Sequence, residues 1–245
     1  MMRASTLKAL MWREQILARK SFLINLLIFS LCTLMGLLVM LSFRVGNLRE
    51  LKDTEARCLI EAMVFFYPQV SIFSCILSMV EAGTVKDELI AWKRFRRTTP
   101  VSPICFAAAR YLMQLVVSVS ACVVAFVYTA AMCLISGRTV TFRELKAVIV
   151  MTVAVSVISI IMQLLVMVFH SLDKAGFALM VMFAVPWTIY VFQATPTQNA
   201  ALPADLLSYC FDKLSGFFTL AVLLGIAAWC LGLFGMTALL KRREK

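Results

Sequence analysis

The sequence predicts an all-α integral membrane protein with six transmembrane helices and both termini in the cytoplasm. Three observations predict it: the composition, six long apolar runs, and an uneven distribution of Lys and Arg between the loops. The chain of 245 residues is 62% hydrophobic and only 15% charged, whereas a soluble domain is about 45–50% apolar and about 25% charged. This composition excludes a water-soluble globular domain, a disordered chain and a nucleic-acid-binding module.

Six apolar runs are candidates to cross a bilayer, for which a helix needs about 20 residues. They form a single transmembrane domain over 21–245, with spans at about 21–43, 59–80, 104–135, 147–169, 177–192 and 216–240. The first run is too long for a signal-peptide core and no small-x-small cleavage site follows it, so we expect it to be retained. The fifth run is the shortest.

The orientation follows from the basic residues. The chain carries 24 Lys and Arg against 13 Asp and Glu, a net charge of +11. With both termini inside, 16 of these basic residues lie on the cytoplasmic side and 8 outside, as the positive-inside rule requires.

The segment over 1–20 precedes the first span and is predicted to be an amphipathic surface helix. Leu7, Leu10, Met11 and Leu17 fall on one helical face, which basic residues flank, as in helices that lie on an anionic leaflet. Glu14 interrupts this apolar face. The alternative is a solvated basic leader that only sets the topology.

The loop between spans two and three is the longest cytoplasmic one and predicts a further amphipathic helix. Trp92 and Phe95 share its apolar face, Pro100 ends it, and Ser102 with Pro103 forms the start of the third span. Two interpretations remain open. The helix docks in a groove on a partner protein, or it lies on the lipid surface, where Trp and Arg are equally at home.

The external loop between spans five and six, 193–215, predicts a short helix over 204–214 that dips back between the spans. Cys58 and Cys210 both fall on the external side in this topology. A disulfide between them is left open, because the sequence gives no distance.

Kinked aromatic segments suggest a substrate path, since Pro68 and Pro186 each remove a backbone donor from a span. Core packing and an aromatic belt are the alternatives. The candidate path residues are Phe65, Phe66, Tyr67, Gln69, Pro186, Trp187 and Tyr190.

Small residues line one face of the sixth span, which allows close approach of another helix. We expect packing within one subunit, and a seam between subunits is the alternative. These residues are Ala221, Gly225, Ala228, Gly232 and Gly235.

The sequence lacks the common motifs of catalytic and nucleotide-binding sites. There is no phosphate-binding loop, HExxH or GxSxG motif, so we expect no catalytic residue, metal or cofactor in this chain. Glu61, Arg110 and His170 stand near span ends and are expected to reach the membrane interface. The span centres lack ionisable residues, which argues against proton coupling.

One run around the 2–3 loop has a recognisable pattern and reads Asp87-Glu88, Trp92, Arg96, Thr99-Pro100-Val101-Ser102 and Arg110-Tyr111-Leu112. It resembles the permease subunits of ABC-2-type (type V exporter-like) ABC transporters, in particular small bacterial peptide and drug exporters. The chain departs from the pattern at Pro103, where a basic residue often follows the serine. The six-span layout extends the resemblance over the whole length.

The resemblance implies the function and the partners. The chain would be the permease of an exporter of amphipathic or hydrophobic substrates, in a bacterial cytoplasmic membrane. ATP and Mg would bind a separate ATPase subunit, and a second permease chain would complete the path. The N-terminal segment would be the connecting helix, and the 2–3 loop the coupling helix. Its ATPase-contacting residues would be Lys86, Asp87, Glu88, Leu89, Trp92, Lys93, Arg94, Phe95 and Arg97. The alternative is a self-contained carrier or channel without an ATPase.

Overall fold

The computed structural model describes residues 4–45, 54–80, 101–169, 171, 173–182 and 206–244, and this part of the chain is helical with short connections. A short helical segment covers 173–182. The other helices are α1 (Ala4–Val45), α2 (Thr54–Val80), α3 (Pro103–Ile135), α4 (Phe142–Phe169), α5 (Leu206–Gly216) and α6 (Phe218–Glu244).

Four of these helices contain a stretch long and apolar enough to cross a membrane, by length and composition: Phe22–Ser42, Pro103–Ile135, Phe142–Phe169 and Phe218–Arg242. The all-helical membrane class is therefore supported. The second predicted span is helical as part of α2, and the segment 173–182 overlaps the start of the fifth. The total of six spans and the orientation of the termini stay predictions.

Helix α1 is continuous over 42 residues and joins the predicted N-terminal helix to the predicted first span. At 1.5 Å per residue it is about 60 Å long, twice the hydrocarbon thickness of about 30 Å. The candidate span Phe22–Ser42 therefore continues toward the N-terminus as one helix.

Helix α3 begins at Pro103, as its sequence predicted. The carbonyl oxygen of Ser102 accepts hydrogen bonds from the N–H groups of Cys105 (3.0 Å) and Phe106 (3.3 Å). The Ser102 hydroxyl donates to Sγ of Cys105 at 2.9 Å and makes no side-chain cap to the backbone. Pro103 suits the first turn because its missing N–H has no helical partner there.

The turn from α3 to α4 is built by a glycine and a glutamate that caps the start of α4. Gly137 has φ +77°, a conformation that few other residues adopt, and Arg138 N–H donates to the Cys133 carbonyl at 2.9 Å. The N–H of Thr141 then donates to Oε2 of Glu144 at 2.7 Å, and the Thr141 hydroxyl donates to the same oxygen. Both hydrogen bonds run from Thr141 to the carboxylate of Glu144, and together they fix the first turn of α4.

Helix α5 corresponds to the short helix predicted over 204–214, but it begins and ends two residues later. It packs on α4 and α2, and Phe211 meets Phe65 edge to face with ring centroids 4.9 Å apart. Cys58 and Cys210 form no disulfide in the structure.

Candidate functional site

One buried cluster joins α1, α3, α4 and α6 near their ends. It contains ten buried side chains and is called the basal cluster here: Leu10, Cys105, Phe106, Ala107, Ala109, Tyr111, Ile160, Met167, Met236 and Leu240. Leu7 and Met11 are half-buried against it. The apolar face predicted for the N-terminal segment therefore packs on the protein itself.

A buried ion pair lies beside the basal cluster. Nε of Arg110 stands 3.6 Å from Oε2 of Glu14, and Nη1 of Arg13 stands 2.9 Å from the other carboxylate oxygen. The Arg13 and Arg110 guanidinium groups lie 5.3 and 5.7 Å from the centroid of the Phe106 ring. Arg13 is partly exposed, whereas Glu14 and Arg110 are each 3% exposed.

Two expectations about ionisable residues were wrong. Arg110 was expected to reach the membrane interface, yet it is buried because Glu14 provides a carboxylate inside the protein. Glu61 was expected there too and is also buried. His170 falls outside the described residues.

The predicted docking loop connects α2, which ends at Val80, to α3, which begins three residues after Pro100. Its nine predicted contact residues, from Lys86 to Arg97, lie outside the described residues. The residues that come directly after this loop belong to the basal cluster, since Cys105 and Phe106 are members of it.

A row of uncharged polar side chains connects α3 to α4 in the interior. We call Gln114, Ser118, Thr152, Ser156 and Gln163 the polar seam. Nε2 of Gln163 donates to Oε1 of Gln114 at 2.9 Å, and Nε2 of Gln114 donates to the Ser156 carbonyl at 3.3 Å. The Ser118 and Ser156 hydroxyl oxygens are 2.9 Å apart.

The polar seam was not predicted, because polar groups inside the spans were expected to be scarce. Its members are buried, and Gln114 is fully inaccessible. Within the described part of the chain, Oε1 of Gln163, Oγ of Ser159 and the Tyr111 hydroxyl make no hydrogen bond. A glutamine inside an apolar run was the available signal, because a buried amide needs a partner.

The predicted substrate path is only partly brought together. Phe65 is buried against Phe211, whereas its neighbour Phe66 is exposed. Tyr67 lies by Gly36 of α1. Gln69 is buried, and its amide makes no hydrogen bond within the described residues. Pro186, Trp187 and Tyr190 lie outside them.

The small residues of α6 approach α4 closely. A Cβ at Gly225 would lie 2.6 Å from Cγ1 of Val153, and one at Gly232 would lie 2.6 Å from Cγ2 of Ile160. A Cβ at Gly235 would meet Leu164 at an ordinary 3.5 Å. Ala228 packs at the edge of the basal cluster, and Ala221 is half-buried.

A pocket with mixed polar and apolar walls lies at the turn between α3 and α4, beside α5. It has a volume of about 370 Å³, and Arg138, Arg143, Glu144 and Phe211 line it. Arg143 bonds Asp212 of α5 at 3.0 Å. On the same short helix, burial raises the pKa of the Cys210 thiol above its ordinary value.

A larger cavity of about 540 Å³ lies between α3, α4 and α6. Its walls are mostly apolar, and Ser118, Thr152 and Ser156 of the polar seam form its polar part. The volume is within the range of about 300–1,000 Å³ that ligand sites have.

Comparison with protein-family models, curated proteins and solved structures gives no match.

Proposed function

We propose that this chain is the transmembrane permease subunit of an ATP-driven ABC exporter. It would move an amphipathic or hydrophobic substrate, such as a peptide, lipid or drug, across a bacterial cytoplasmic membrane by alternating access. A separate ATPase subunit would bind ATP and Mg, and a second permease chain, identical or not, would complete the path.

The observation that carries the proposal is the buried Glu14–Arg110 pair beside the basal cluster. An exporter driven by a soluble partner must transmit a push on a cytoplasmic loop to its spans. Here the start of α3, reached directly from the 2–3 loop, is fastened to α1 by an ion pair and to α6 by apolar contacts. A force on that loop would therefore move three helices together.

The lining of the cavity, which includes part of the polar seam, supports one class of transported substrate. The cavity is mostly apolar, and no charged side chain lines it among the described residues. Such walls suit an amphipathic or hydrophobic cargo and suit a small hydrophilic ion poorly, because an ion needs polar coordination to leave water.

The test is a pull-down of the chain in mild detergent from its native cell. We expect a co-purifying protein with a phosphate-binding loop, and ATPase activity in the complex. Trp92→Ala should uncouple transport while leaving the chain inserted, and so should charge reversal at Arg94 and Arg97. Trp12→Ala is the matched control, because Trp12 is 62% exposed and lies outside the loop. The proposal is contradicted if the chain purifies alone and its Trp92→Ala variant transports normally.

A second candidate is a self-contained carrier or channel, and the polar seam is the observation that favours it. Such a protein needs polar groups inside its bundle of spans, and Gln114, Ser156 and Gln163 supply buried ones without charge. Flux through proteoliposomes that contain this chain alone, without ATP, would support this candidate. ATP-dependent flux that requires the partner would support the exporter.

A further inference from the structure

The cavity between α3, α4 and α6 has one polar region, formed by the hydroxyl groups of Ser118, Thr152 and Ser156. The three residues are each 6% exposed. Each lies at least ten residues from either end of its helix, which is about 15 Å along the axis. The polar region is therefore deep in the apolar part of the bundle.

The hydrogen-bond directions in this region are determined by counting hydrogens, since a hydroxyl has one hydrogen and two lone pairs. The Thr152 hydroxyl donates to the Val148 carbonyl at 2.8 Å, and the Ser156 hydroxyl donates to the Thr152 carbonyl at 2.8 Å. Ser118 must then be the donor in its 2.9 Å contact with Ser156. All three hydroxyl hydrogens are committed to the protein.

The polar region consequently offers acceptors. The oxygen of Ser118 keeps its lone pairs, that of Thr152 keeps one beside its hydrogen bond with the Cys122 thiol, and the cavity presents no charged side chain among the described residues. A matching ligand brings an O–H or N–H donor, because a donor without an acceptor is costly in an apolar medium. An anion is mismatched with these lone pairs, and a cation would meet no countercharge.

The rest of the cavity specifies the body of the ligand. Val119, Val123 and Ile226 line it and are more than half exposed on the outer surface of the helices. Trp229 closes the wall and stacks edge to face on Tyr111 at 5.6 Å. The cavity thus continues from its buried polar region to the apolar exterior, where an alkyl chain can extend into the bilayer.

We propose that this cavity binds an uncharged single-chain amphiphile from the membrane, through a hydroxyl or amide donor at its polar end. The donor bonds the oxygens of Ser118 and Thr152, and the alkyl chain passes between Val123 and Ile226. The site is separate from the predicted path residues on α2. It does not depend on the exporter proposal, because the chain alone contains it.

The test is photolabelling of the full chain in lipid nanodiscs with a diazirine derivative of hexadecanol. Unlabelled hexadecanol should compete about fivefold more strongly than hexadecyl methyl ether, which has the same chain but no donor. Mapped crosslinks should fall on residues that line the cavity. Equal competition by the alcohol and the ether would overturn the proposal.

Two pairs of variants make the test specific. Ser118→Ala with Thr152→Val and Ser156→Ala should abolish the preference for the alcohol, since Ser156 would otherwise gain a free lone pair when its donor Ser118 is removed. Ser120→Ala should keep the preference, because Ser120 is exposed on the same helix and does not line the cavity. Val123→Phe should reduce labelling at least fivefold, and Val127→Phe should not. A preference that survives loss of all three oxygens overturns the assignment. So does a change of oligomeric size in Val123→Phe without loss of labelling, which would make the groove a contact between copies of the chain.

Discussion

Glu14 and Arg110 meet inside the protein although about 100 residues separate them in the sequence. Oε2 of Glu14 lies 3.6 Å from Nε of Arg110, with both side chains removed from solvent. The pair connects the N-terminal part of α1 to the first turns of α3. A carboxylate in such a position is tolerated only because it has cationic partners.

Arg110→Met is expected to destabilise the protein by about 3 kcal/mol, at the lower end for breaking a buried pair because Arg13 still contacts Glu14. Adding Glu14→Gln should recover part of the loss, since the buried charge is then removed. Thermal unfolding in detergent measures both. Arg19→Met on the exposed side of α1 is the control, and an equal loss there would contradict the role of the pair.

Gly232→Ala is expected to cost about 1–3 kcal/mol through overpacking. Its Cβ would stand 2.6 Å from Ile160 and 2.7 Å from the Tyr111 hydroxyl. Gly235→Ala is the matched control three residues on, because its Cβ would have only van der Waals contact with Leu164. The thermal midpoints of the two variants, compared with the unmodified chain, decide the question. Equal midpoints would show that α6 and α4 are not this close.

Gln114→Leu should cost about 1–3 kcal/mol, because it leaves the amide of Gln163 buried without its acceptor. Replacing both glutamines by leucine should return the stability to within about 1 kcal/mol of the original chain. A double-mutant cycle of unfolding free energies measures this coupling. If the double variant also loses ATP-independent flux, the polar seam lies on the route of the substrate. That result would support the self-contained carrier as the function.

Cys210 should react slowly with a membrane-impermeant maleimide at pH 7, because burial raises its pKa and only the thiolate reacts. The rate should still be rising with pH where an ordinary thiol, with a pKa of about 8.5, approaches its plateau. The measurement uses a chain in which Cys210 is the remaining cysteine.

The control for that experiment is Tyr209→Cys in a chain without other cysteines, since Tyr209 is exposed on the same helix. A common plateau pH for the two positions would contradict the raised pKa. The experiment also tests the topology, because labelling that occurs only from the cytoplasmic side would place α5 on the wrong side of the membrane.

The helices that a local pattern determines were predicted well. Pro103 begins α3 as expected, and the short helix before the last span lies at Leu206–Gly216. Both follow from signals within a few residues: a proline in the first turn, or an apolar pattern between turn residues.

The contacts that build the candidate site were not predictable in this way. Glu14 was recognised as an interruption of an apolar face, but nothing in the sequence indicated that Arg110 would lie against it. Likewise, Gln114 and Gln163 belong to different spans, and their pairing depends on how α3 and α4 are rotated about their axes. Such rotation is set by packing between helices, for which a single sequence gives no distance.

The composition of the basal cluster also determines when it can close during synthesis. Leu10 is made first, Phe106 follows about 100 residues later, and Met236 comes from α6. At about 5–20 residues per second, the ribosome needs at least about 10 s after making Leu10 before the last partner emerges. The basal cluster therefore stays incomplete until α6 has been synthesised, although Glu14 can meet Arg110 as soon as α3 has been made. A chain that stalls before α6 would keep this end open, where proteases and chaperones can bind it.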